Sequence, residues 1–295
     1  MEKLSLDTNK TLGIAWFVLS LLVSVTNDAL MKLLSGGIPT YEVVFLRFLF
    51  GTLTLVPFIF INRKSFVTSR IMLHVIRGGG FFLAISIWCS GLTVGKLAVA
   101  TTINFTIPIF ILLLAARFLK ERLSPAKILA TIIGFVGIIV IMNPTAADFN
   151  IKTLLLVGSA FLFASLDVIN KKFVSSESML SMLFYSNLFA MLFSVTPGVY
   201  SWVTPDITSF ALLLVLGAGG NLILYCLLKS FSCVEVSAVA PYRYFELLFS
   251  IIFGYVFFSE KFDVANWIGA GVIILSTLII SYEYLLVRHL KRNKA

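Results

Sequence analysis

The sequence predicts an all-α membrane protein of ten transmembrane helices, arranged as two inverted five-helix repeats with both termini cytoplasmic. Three observations predict it. Of the 295 residues, 59% are apolar and only 13% are charged, whereas soluble domains carry about 25% charged residues. The apolar residues gather in ten runs, near 11–33, 42–62, 72–92, 98–118, 124–143, 152–174, 180–200, 207–230, 237–258 and 264–284, and about 20 apolar residues in a helix cross the hydrocarbon core. Finally, the two halves match one another at a constant shift.

Taken in order, the first run follows ten polar residues and has full span length without a small-residue cleavage site, so it is expected to stay as a helix. With the N-terminus inside, sixteen basic residues lie on the cytoplasmic side, among them Arg63, Lys64, Arg117, Lys120, Lys171, Lys172 and the tail Arg288, Lys291, Arg292 and Lys294. Only Lys96, Lys152 and Lys261 lie outside. Such a bias sets both termini in the cytoplasm and explains the formal charge of +9 without nucleic acid. Pro108 and Pro241 remove helix hydrogen bonds in the fourth and ninth spans, which should kink there. Cys89, Cys226 and Cys233 form no CxxC pair and read as packing residues, with neither disulfides nor zinc implied.

The repeat has a shift of 139 residues. Asp28-Ala29-Leu30-Met31-Lys32 falls on Asp167-Val168-Ile169-Asn170-Lys171, Gly78-Gly79-Gly80 on Gly217-Ala218-Gly219, and Phe118-Leu119-Lys120-Glu121-Arg122 on Phe257-Phe258-Ser259-Glu260-Lys261. Five spans per half are an odd number, so the second copy must run through the membrane in reverse, as alternating access requires. The boundaries drawn are 11–143 for the first half, 152–284 for the second and 285–295 for a basic cytoplasmic tail. The glycines at the start of the third and eighth spans suit close helix packing.

A charge at the bilayer centre costs roughly 2.5 to 3.5 kcal/mol on insertion scales, so the charged residues within spans mark a polar interior or a paired network. Asp28, Lys32, Glu42 and Arg47 lie toward the outer half, Arg77, Asp167, Lys171 and Arg243 toward the inner half, and Glu246 nearer the middle. Asp28 with Lys32, and Asp167 with Lys171, are four apart on one helix face, which permits an internal ion pair. Arg47 and Arg77, about five residues from span ends, suit lipid headgroups better than substrate. In the ninth span Tyr242, Arg243 and Glu246 share a face. They form either a structural pair or a surface where the guanidinium takes a carboxylate and Glu246 meets a cation.

Asn104 is the repeat counterpart of Arg243 and can contribute from the fourth span, while Asn187 and Asn221 either face the same cavity or join helices. Trp88, Tyr185, Tyr242 and Tyr244 can stack on a planar base or hold a cation, though most aromatic residues must serve packing. There is no HExxH, GxSxG or P-loop pattern, which argues against an enzyme or a nucleotide-driven pump. No cofactor or metal is expected, and monomer and homodimer stay equally open.

The paired five-span halves, with the polar boundary Lys120-Glu121-Arg122 before the last span of the first half, resemble the EamA family of the drug/metabolite transporter superfamily over about residues 11 to 285. Asn27 to Lys32, Asp167 to Val174, Glu177 to Ser186 and Ala240 to Leu247 look more narrowly like the S-adenosylmethionine uptake transporters of intracellular bacteria such as rickettsiae. The resemblance implies a ten-helix secondary carrier of the bacterial inner membrane that imports S-adenosylmethionine, with exchange for S-adenosylhomocysteine as one form. A proton-coupled exporter of amino acids, drugs or other small metabolites is the alternative. Two latches are expected, Asp28 with Arg47 outside and Asp167 with Arg243 inside.

Overall fold

A computed structural model describes residues 2–34, 37–92, 102–143, 154–200, 202–258 and 264–292. All regular structure among them is helical. In chain order the elements are α1 (Glu2–Leu34), α2 (Thr40–Ile61), α3 (Ile71–Leu92), α4 (Ile107–Leu114), α5 (Pro125–Met142), α6 (Leu154–Phe173), α7 (Met179–Tyr200), α8 (Ile207–Cys233), the one-turn α9 (Val236–Val239), α10 (Phe245–Phe258) and α11 (Val264–Arg292). Eight helical stretches among the described residues are long and apolar enough to cross a membrane, and Trp267–Ile280 is a shorter apolar one. Lys96, Lys152, the segment Ser259 to Lys261, Lys294, and the side chains of Lys32, Cys89, Arg288, Lys291 and Arg292 lie outside the described residues.

Local chemistry sets several ends. At α5, Ser124 accepts from the Lys127 amide and Pro125 takes a first-turn position, where its missing N–H costs nothing; the helix stops at Asn143, which adopts a left-handed φ of 42°. Asp206 caps α8 by accepting from the Ser209 amide at 3.0 Å. Pro108 and Pro241 do interrupt their spans. A turn at Phe105 and Thr106 separates 102–104 from α4, whose first turn holds Pro108, and Pro241 lies in a 3₁₀ segment, Ala240–Tyr244, between α9 and α10. Tyr244 is the counterpart of Phe105 at the shift of 139, so the two breaks occupy equivalent places.

Packing follows the duplication. Helix α1 packs on α8 and its counterpart α6 on α3; α2 packs on α8 and α7 on α3; α2 meets its own counterpart α7, and α5 meets α11. Phe105 and Tyr244, themselves counterparts, touch with ring centroids 6.1 Å apart. The glycines make the crossings possible. A Cβ on Gly78 would lie 2.9 Å from the Ala190 amide nitrogen on α7, and one on Gly217 would lie 2.7 Å from the Gly51 amide nitrogen on α2. Backbone cannot yield as a side-chain tip can, so both positions need hydrogen. The largest apolar core gathers α1, α4, α6, α7 and α8 around Phe17, Ile111, Met182 and Phe231.

Candidate functional site

The charged residues of α1, α2, α6 and the broken ninth segment converge. Arg243 Nη2 donates to Asp167 Oδ2 at 2.5 Å, and Ser24, one turn before Asp28 on α1, donates to Glu246 Oε1 at 2.6 Å. Asp28 lies within electrostatic reach of Glu246 and Arg47, and Asp167 within reach of Glu246 as well as Arg243. Arg47 also approaches the Met31 sulfur at 3.6 Å. One run of charges, Arg47, Asp28, Glu246, Arg243 and Asp167, therefore joins the two halves, with the two carboxylates of Asp28 and Glu246 side by side between the arginines. Asp28 is exposed even though charges from two other elements face it. Polar gaps persist here as well: Arg243 Nε and Asn104 Oδ1 are buried without a hydrogen-bond partner. Both residues stand at the helix breaks.

Other candidate residues are placed elsewhere. Tyr244 is fully buried in the α5 and α11 contact, where its hydroxyl donates to the Thr131 carbonyl at 3.0 Å. Tyr242 sits in the main core with its ring at a right angle to Phe245. Tyr185 donates to the Phe66 carbonyl at 3.0 Å and lies over His74, which pins the turn after α2. Trp88 packs between apolar clusters around Phe48 and Leu156. Asn221 accepts from Asn187 at 2.8 Å and donates to the Gly51 carbonyl at 2.7 Å, which ties α7 and α2 to α8. Of the two readings of these amides, this geometry is the helix tie.

The Asp167 and Arg243 contact expected for the inner side is present, whereas two other charge readings are corrected. Asp167 pairs with Arg243 and not with Lys171; the Lys171 ammonium instead takes the Phe231 and Val234 carbonyls at 2.6 and 2.7 Å, capping the C-terminus of α8. The last carbonyls of a helix lack intrahelical donors and attract a cation, while the Asp167 carboxylate is already bound to a guanidinium. Arg77 does not reach for headgroups, since it is 2% exposed and bonded to Asn170 Oδ1 at 2.9 Å and the Met182 carbonyl at 3.1 Å. Its stem points into the bundle beside a cleft lined by Phe81, Leu166 and Ser186.

The sequence reasoning missed the polar lacing at one end of the bundle. There Glu177 meets Thr68, Arg70 and His74, joining the turns after α2 and α6. Glu121 accepts from the Val236 and Ser237 amides at 3.1 and 3.0 Å, while Lys127 contacts Glu235 at 2.5 Å and Ser237 at 2.9 Å. All these bonds cross between the halves. At the far end the fully buried Glu42 accepts from the Val203 amide through Oε2 and leaves Oε1 unpaired. Glu121 had a visible signal in the Lys120-Glu121-Arg122 boundary; the identities of its partners had none.

Comparison with known proteins adds the lineage. The EamA-like transporter family model matches residues 11–143 and again 150–282. The chain is 43% identical over 280 residues to the S-adenosylmethionine uptake transporter of Rickettsia bellii (strain RML369-C), covering 94% of this chain and 96% of that one. The protein of the same name in Rickettsia prowazekii (strain Madrid E) is 43% identical over 92% of each chain. A riboflavin transporter of Vibrio cholerae is 27% identical over 83% of this chain and 84% of its own. Among solved structures, one crystal structure superposes with a TM-score of 0.78 over 96% of this chain and 99% of that chain, at 18% identity, which shows a shared fold.

Proposed function

This chain belongs to the EamA-like transporter family, and from that premise we propose that it imports S-adenosylmethionine across the bacterial inner membrane, in exchange for S-adenosylhomocysteine, by alternating access. The observation that carries the substrate is the 43% identity over 94% of the chain to a protein named for that uptake. The charged network fits the ligand. A carboxylate suits the Arg243 guanidinium, and an ammonium and a sulfonium suit Glu246 and Asp28. The molecule is read as ten crossings in two inverted halves, 11–143 and 152–284, with both termini and the tail 285–295 in the cytoplasm. The paired packing of equivalent helices and the equivalent breaks support that reading.

In this mechanism the Asp167 and Arg243 pair holds the inner side and Asp28 with Arg47 the outer side, and ligand near Glu246 loosens one as the other forms, because it binds the two states unequally. Reconstituted vesicles test the function. Labelled S-adenosylmethionine should exchange against S-adenosylhomocysteine inside, with methionine and adenosine as weaker competitors; absence of counterflow would remove the exchanger. The nearness of the Asp28 and Glu246 carboxylates favours one second reading, an exporter in which that pair carries a proton. Flux that follows a pH gradient and ignores S-adenosylhomocysteine would establish it instead.

A further inference from the structure

We infer that Asp167 is a built-in stand-in for the carboxylate of the transported ligand, held on Arg243 until the ligand displaces it. The inference rests on the proposed transport reading only in naming the ligand; its geometry stands apart. A guanidinium can bind a carboxylate in two parallel hydrogen bonds along the edge formed by Nε and Nη2. Here Nη2 is occupied by Asp167 Oδ2 at 2.5 Å, while Nε on the same edge is buried with no partner. Asp167 fills half of a two-point site.

The half-filled edge has a physical cost and a use. A buried guanidinium N–H left without an acceptor loses its hydration with nothing in return, so a carboxylate able to reach both nitrogens outcompetes one that reaches a single nitrogen. Asp167 is fixed on α6 and Arg243 lies in the 3₁₀ segment before α10, so the two meet at an angle set by their helices. A free ligand has no such tether. The orphan Asn104 Oδ1, on the equivalent break of the other half, is an acceptor suited to the ligand ammonium next to that carboxylate. The pair therefore discriminates by chemistry. Ligands with an α-carboxylate must compete with Asp167, and ligands without one must not.

The experiment measures equilibrium binding to the purified full chain in lipid nanodiscs, for the wild type, Asp167→Asn and Arg243→Gln. The probes are S-adenosylmethionine against its decarboxylated form, and L-methionine against L-methioninamide. Asp167→Asn should tighten the acid of each pair on the order of tenfold relative to its carboxyl-free partner, and Arg243→Gln should erase the preference. Equal change in both members, no change, or selective weakening of the acid would overturn the inference. Should the wild type ignore S-adenosylmethionine while the methionine pair shows the selective gain, the substrate reading fails and the inference stands. If it binds S-adenosylmethionine without the gain, the reverse holds. As a check that needs no variant, infrared spectra of wild type with carboxylate-labelled S-adenosylmethionine should show the ligand carboxylate stretch shifted from its position in water; an unshifted band counts against the claim.

Discussion

Two tyrosines on either side of one arginine illustrate how much depends on direction. Tyr242 and Tyr244 flank Arg243, yet the Tyr244 hydroxyl is spent on the Thr131 carbonyl in the core between α5 and α11. Tyr244→Phe is therefore expected to lower thermal stability by about 1 kcal/mol, the usual worth of one hydrogen bond, and to leave the KM for S-adenosylmethionine uptake unchanged. Glu246→Gln should behave in the opposite sense, with uptake reduced by on the order of tenfold or more and a folded protein by gel filtration; unchanged uptake would remove Glu246 from the site. At the start of α8, hydrogen bonds from Ser209 hold the Asp206 carboxyl below the usual carboxylate range. A lowered folded value means this cap stabilises fully above the unfolded value and is lost as pH falls through the folded one. Replacing Asp206 by Asn should flatten that acid limb of a thermal-shift profile, leaving its neutral limb slightly lowered.

At the scale of elements, close backbone crossings and broken spans define the bundle. Because a side chain on Gly217 meets the α2 backbone, Gly217→Val should cost about 1 to 3 kcal/mol or prevent assembly, the range of overpacking. A Cβ on Gly158 would meet nothing within 4 Å, so Gly158→Ala should be neutral or gain slightly from helix propensity. Thermal unfolding of the two variants in one detergent checks the contrast, and equal losses would contradict the crossing. The interruptions at Phe105 and Tyr244 depart from regular helix where Asn104 and Arg243 stand, and irregular backbone at such a depth persists only where protein or a polar cavity covers it. Pro108 and Pro241 made the breaks foreseeable. That the breaks are equivalent by the shift of 139 emerged only from the fold, since neither proline has a proline counterpart.

Across the whole molecule, one end is laced between halves by Glu121, Lys127, Glu177 and Glu235. If this end closes the cytoplasmic side, Lys127→Glu should open it to a membrane-impermeant thiol reagent applied from within, and the combination with Glu235→Lys should restore protection. Restoration failing, while both proteins fold, would separate the pair from gating. Composition, span-length apolar runs and the constant shift were sufficient by themselves for an all-helical membrane protein built from a duplicated unit, because the bilayer dictates run length and duplication leaves its period in the chain; the family was legible only as a resemblance of segments such as Lys120-Glu121-Arg122 and Ala240 to Leu247. The residues that must be charged inside an oily slab were also readable, Asp28, Arg47, Asp167, Arg243 and Glu246 among them. Their pairing was left between alternatives, since Asp167 had both Lys171 on its own helix and Arg243 in the expected latch. Spacing along one helix offered Lys171 to Asp167, and only the packed bundle, by bringing Arg243 across from another helix and the end of α8 to Lys171, decided which opposite charge came within bonding distance. Pairing is a property of three-dimensional approach, where a few ångströms of helix placement outweigh any regularity of sequence.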